Sequence, residues 1–190
     1  MNWVDWFPQP DASAWAKGQR DFETAWRTCP RGDWLLWVVG ALSQHEGDRL
    51  HVPAVQAVCD IVEDTIRKCS GYEGPHPEEG PMESTFRVLR MVRAWAESPS
   101  TGTARGLARL GEEVMERAIS EPNRDFPRFY CLLSASWVAM AVWDRKVLVD
   151  SMGAAAEAVA CSGVMPFLEA QARFASIVRA RVPFPGHGPA

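Results

Sequence analysis

The sequence has no Gly-rich phosphate loop, no H-E-x-x-H or C-x-x-C pair and no G-x-S-x-G elbow, so phosphate, zinc, dithiol and acyl-transfer chemistry have no local signature. Its histidines, His45, His51, His76 and His187, are far from the cysteines in sequence and share no ligand spacing. No apolar run approaches the roughly 18 residues of a membrane span; the nearest, Leu132 to Trp143, is broken by Ser134 and Ser136. The opening residues, Met1 to Pro8, have neither the basic start nor the apolar run of a signal peptide, which leads to the expectation of a soluble, cytoplasmic chain. Alternating β-branched runs and Asn-Gly or Asp-Gly hairpin dipeptides are missing too, and no repeat recurs at a fixed period.

Basic charge is not in excess. Lys and Arg total 20 against 24 Asp and Glu, a formal net charge of −4. A general nucleic-acid binder needs a basic surface to neutralise phosphates, so that class is disfavoured, whereas an acidic chain can bind a basic protein. Five cysteines (Cys29, Cys59, Cys69, Cys131 and Cys161) are odd in number and scattered through apolar helical segments, as reduced core residues are.

What the chain does have is apolar helical periodicity almost throughout. With 190 residues, 47% of them apolar, it suits a single helical domain over 1–190, with an N-terminal arm at 1–10 and a loose tail at 183–190. Helices are predicted over about 11–28, 33–42, 53–70, 82–97, 103–120, 126–144, from 146 onward, and 166–181. Prolines or glycines punctuate most of their ends, and Pro53 is placed in a first turn. The helix at 126–144 is apolar round much of its circumference and is expected at the centre. The predicted fold is all-α: a compact array of about eight antiparallel helices, with solenoid-like stacking of helix pairs as the alternative.

Nine tryptophans are far more than such a chain needs. Trp15, Trp26, Trp34, Trp37 and Trp137 fall on helical stripes and are assigned to the core, while Trp3 and Trp6 belong to no stripe and either cover one end of the bundle or form an exposed patch. The densest aromatic entry is Cys29-Pro30-Arg31-Gly32-Asp33-Trp34-Leu35-Leu36-Trp37. Here Asp33 is a candidate N-cap for the helix that follows, which explains the Arg-Gly-Asp tripeptide better than an adhesion motif does.

Two clusters carry candidate chemistry. Asp60, Glu63 and Asp64 fall at i, i+3 and i+4, and Glu112, Glu113 and Glu116 repeat the arrangement; opposed, two such faces could hold Mg²⁺ as in an all-α metal hydrolase. Interleaved Arg67, Lys68, Arg109 and Arg117 point instead to solvated ion-pair faces. The segment from Ser70 to Pro81 is rich in turn formers and is the candidate partner-binding surface, with Tyr72 as an anchor among Glu73, Glu78 and Glu79. A third reading is a helical adaptor whose groove, lined by Trp3 and Trp6, takes a peptide helix.

The stretch Ala25-Trp26-Arg27 followed by Cys29 to Trp37 resembles the opening of bacterial immunity proteins of the Imm-5-like type, whose pattern is C-x-x-G-[DE]-W-L-L-W-L. Further segments fit in order: Ala57 to Asp60, Val92 to Ala96, Phe174 to Arg179, and Val182-Pro183. The resemblance rests on Cys29, Gly32, Asp33, Trp34 and Trp37, and it implies a non-catalytic protein that binds and neutralises a cognate toxin, without cofactor or metal.

Overall fold

The computed structural model describes residues 2–46, 48–70, 82–120 and 125–184. All regular structure among them is helical, in nine α-helices and two short 3-10 turns. The helices are α1 (Pro10–Lys17), α2 (Phe22–Thr28), α3 (Gly32–Glu46), α4 (Asp48–Ser70), α5 (Glu83–Glu97), α6 (Thr101–Ser120), α7 (Phe126–Ala141), α8 (Leu148–Cys161) and α9 (Phe167–Arg181).

The periodic stripes become the core. Val55, Val58, Cys59, Val62 and Ile66 of α4, with Phe86, Leu89 and Val92 of α5, are fully buried, as amphipathic spacing requires. Helix α7 packs against α4, α5, α6 and α8, and α4 packs against α3, α5, α7, α8 and α9, so the two share the centre of a compact bundle. A solenoid would limit each repeat to its neighbours. Between α7 and α8 small residues let the backbones approach. There the Ser134 hydroxyl donates to the Ser151 carbonyl at 2.6 Å and the Ser151 hydroxyl returns a bond to the Ser134 carbonyl at 2.7 Å, so both buried hydroxyls are satisfied.

The expected first helix is two. The chain breaks after Lys17, and Asp21 restarts it by accepting the Thr24 N–H at 2.7 Å. Helix α4 begins at Asp48, before the expected start, so Pro53 lies inside it. Burial of Leu50 and His51 accounts for this: the His51 ring lies within 3.4 Å of the Val142 carbonyl and meets the Trp95 ring edge-on at 5.9 Å. Tertiary packing outweighs the proline's local penalty.

The N-terminal segment expected as an arm packs from Trp3 onward. Trp3–Trp6 forms a 3-10 turn, Trp6 and Phe7 are buried, and Trp3 meets Phe7 and Phe22 at 6.4 and 6.0 Å between ring centroids. Of the two alternatives for Trp3 and Trp6, they cover one end of the bundle. At the other terminus Val182 is buried and Phe184 lies against Phe22 and Trp26 at 5.6 and 6.4 Å, while residues 185–190 lie outside those described.

Candidate functional site

The Cys29 to Trp37 motif builds a junction between α2, α3 and α9. Arg179 donates to the Cys29 carbonyl at 2.8 Å, and the Cys29 thiol donates to the Arg31 carbonyl at 3.3 Å. Gly32 sits where α9 and α8 press closest: a Cβ there would stand 2.6 Å from Met152 Sδ and 3.0 Å from the Ala175 nitrogen. Helix α3 begins at Gly32, so Asp33 lies within its first turn instead of preceding it. From there its carboxylate accepts the Trp34 N–H at 2.9 Å and pairs with Arg31 at 2.5 Å, while its own N–H donates to Gln171 Oε1 at 3.2 Å.

The carboxylates of α4 are held by arginines, not arranged around a cation. Asp60 pairs with Arg93 at 3.0 Å and Arg181 at 2.6 Å, Glu63 with Arg67 and Arg93, and Asp64 with Lys68 and Arg173. The i,i+4 pairs were legible in the sequence; the partners on α5 and α9 depend on topology. Glu112, Glu113 and Glu116 are exposed on α6, and among the described residues no group of three His, Cys, Asp or Glu side chains could hold a metal ion. The two clusters of the hydrolase reading are thus not brought together.

These pairs have a pH signature. Burial pushes the Asp64 carboxyl up, but hydrogen bonds from Arg173 and Lys68 outweigh it and hold it below the usual range; hydrogen bonds from Thr24 and Arg20 hold Asp21 down at about 2. A depressed carboxyl contributes stability that is present above its unfolded pKa of about 4 and lost as pH falls through the folded value. The urea midpoint should therefore hold from neutrality to about pH 5 and drop below about pH 4. Asp64→Asn should flatten that drop, and an unchanged acid limb would show that the pairing is not linked to folding.

The thiols offer little beyond packing. Burial pushes Cys29 and Cys59 up to about 12, and all five cysteines are free. Cys69 alone is lowered, to about 7, by its hydrogen bond with Cys131.

Two hollows lie side by side and share Val149. The first, about 470 Å³, is lined by Trp6, Leu36, Trp37, Ala41 and Trp143, with Asp5, Asp144, Arg145 and Lys146 also in its walls. The second, about 330 Å³, has Tyr130, Trp137 and Phe167 as its rings and Asp33, Asp150 and Glu157 as its charges. In each, a helix presents a glycine where a side chain would fill the space: Gly40 of α3 in the first and Gly153 of α8 in the second, both with nothing within 4 Å of an added Cβ. Trp37 and Trp137, expected in the core, are half-buried because they line these hollows. The Arg105 guanidinium lies 5.3 Å from the Trp143 ring, which is half exposed.

The partner-binding residues expected from sequence, Tyr72, Glu73, Glu78 and Glu79, lie outside the described residues. Sequence reasoning passed over Tyr130, Trp143, Asp150, Glu157, Phe167 and Gln171. One signal was there: Asp150, Gly153 and Glu157 fall at i, i+3 and i+7, two carboxylates flanking a glycine on an otherwise alanine-rich helix. No helix among the described residues is long and apolar enough to cross a membrane. Comparison with protein-family models, curated proteins and solved structures finds no match for this chain.

Proposed function

We propose that this chain is an immunity-type protein that binds a cognate bacterial toxin and neutralises it by occlusion. The observation that carries the reading is the pair of adjoining hollows, both aromatic-walled and the second charged by carboxylates alone, as suits a basic protein surface. Aromatic anchors supply contact area with little side-chain entropy to lose, and the acidic chain steers a basic partner toward them. The resemblance carried by Cys29, Gly32, Asp33, Trp34 and Trp37 supplies the toxin as the partner. Glu73, Glu78 and Glu79 beside Tyr72 are proposed to add to the same attraction.

Co-expression with the toxin encoded beside the gene is the direct test. The unmodified chain should protect the cell and co-purify with the toxin, and failure of both would end the immunity reading. The adaptor reading keeps one observation in its favour, the larger hollow with Trp6 and Trp37 in its wall. Its mark would be capture of a helical peptide with no protection.

A further inference from the structure

The second hollow has the composition of an arginine site that the protein fills only on one side. Beside two of its lining residues, Asp33 and Phe167, the Arg31 guanidinium lies 5.0 Å from the Trp34 ring and 5.9 Å from the Phe167 ring, and it pairs with Asp33. Rings beneath the guanidinium and a carboxylate at its fork are how proteins hold arginine. Elsewhere in the lining, on α7 and α8, the same components recur without a cation, with Asp150 and Glu157 exposed. Tyr130 and Trp137 are the rings; Asp150 and Glu157 are the carboxylates, and neither has an ion-pair partner among the described residues.

Two further observations point to an occupant. Asp150 is exposed, and partial burial and the neighbouring Asp144 push its carboxyl up, so a positive charge placed beside it would be favourable. Gln171 lines the same hollow, is fully buried and has no acceptor for its Nε2. A buried amide N–H without an acceptor is costly, and because this one is closed to solvent, only an occupant that moves the lining aside and brings an oxygen would relieve it.

We propose that this hollow recognises an arginine side chain presented by a basic protein partner, its guanidinium against Tyr130 and Trp137, its charge met by Asp150 and Glu157, and an adjoining peptide oxygen directed to Gln171. The proposal rests on the binding role above and narrows it to one residue type. Lysine fits less well, because an ammonium cannot both lie along a ring and bridge carboxylates with a planar fork. A hard metal ion is disfavoured, since among the described residues no three His, Cys, Asp or Glu side chains are grouped to hold one. The first hollow does not compete for this role, because Arg145 and Lys146 are in its walls.

The test titrates the full chain, with isotope-labelled indoles, against Nα-acetyl-arginine methylamide while following the Trp137 resonance. A saturable shift is expected. The neutral citrulline analogue should give none, and the lysine analogue should bind at least about threefold more weakly. Asp150→Asn combined with Glu157→Gln should weaken binding about fivefold or more without lowering the melting temperature. Gly153→Leu, which projects into open space, should abolish binding in a protein that still folds. Absence of a saturable shift, equal binding of the citrulline analogue, or binding that survives both variants overturns the proposal. The co-expression assay separates the two readings: arginine capture without protection discards the immunity role and keeps the site, whereas protection unaffected by Gly153→Leu discards the site and keeps the role.

Discussion

Replacing Trp34 with alanine should cost about 3–5 kcal/mol of folding stability, the range for emptying a large aromatic from a packed site. Trp34 is 6% exposed, meets Trp15 at 5.7 Å between ring centroids and lies under the Arg31 guanidinium. Its loss therefore opens a cavity and also strips one of the two rings from Arg31. Trp37→Ala, only three residues on, should cost about 1 kcal/mol, because much of that ring already faces a hollow. Partner binding should show the reverse order, with Trp37→Ala the more damaging. Urea midpoints measured on both variants decide the matter, and equal losses would return Trp37 to the core.

Gly111→Ala should destabilise by about 2–3 kcal/mol, although alanine is the better helix former by about 1 kcal/mol. A Cβ at Gly111 would stand 2.5 Å from the Ser136 carbonyl oxygen and 2.8 Å from Met140 Cγ. Met140 can turn aside; the carbonyl belongs to the backbone of α7 and moves only if the helix moves. Gly106, one and a half turns earlier on α6, is exposed and has nothing within 4 Å of an added Cβ. Gly106→Ala should therefore stabilise by about 0.5–1 kcal/mol through propensity and the unfolded chain alone. Thermal melts of the two variants should move in opposite directions; a shared direction would mean that the contact between α6 and α7 is looser than these distances.

The helices were largely legible because each must bury a stripe, and the stripes on α4, α5 and α6 repeat at helical spacing. Legibility failed where a long-range partner decided the outcome. The break between α1 and α2 is set by the Asp21 cap, which the anchors Trp15, Phe22 and Trp26 mask by keeping a helical rhythm across it. Trp37 and Trp137 sit on stripes as core residues do; what exposes them is a glycine, Gly40 or Gly153, lining the same hollow. Likewise Glu63 could be paired with Arg67 from spacing alone, but its bond to Arg93 requires knowing that α5 lies against α4.

Helix α9 ends the bundle in sequence and closes it in space. Its Phe174 and Ala175 sit against Gly32, its Arg179 holds the Cys29 carbonyl, and its Arg173 and Arg181 meet Asp64 and Asp60. The consequence is one of timing. While the chain is being synthesised, the turn before α3 lacks its α9 contacts, and Asp60 and Asp64 lack Arg181 and Arg173, until α9 has left the ribosome. Helices α4 to α8 can pack on one another before then, and the seam with α9 closes afterwards. Translation halted before Phe167 would release a polypeptide with that seam still open to chaperones and proteases.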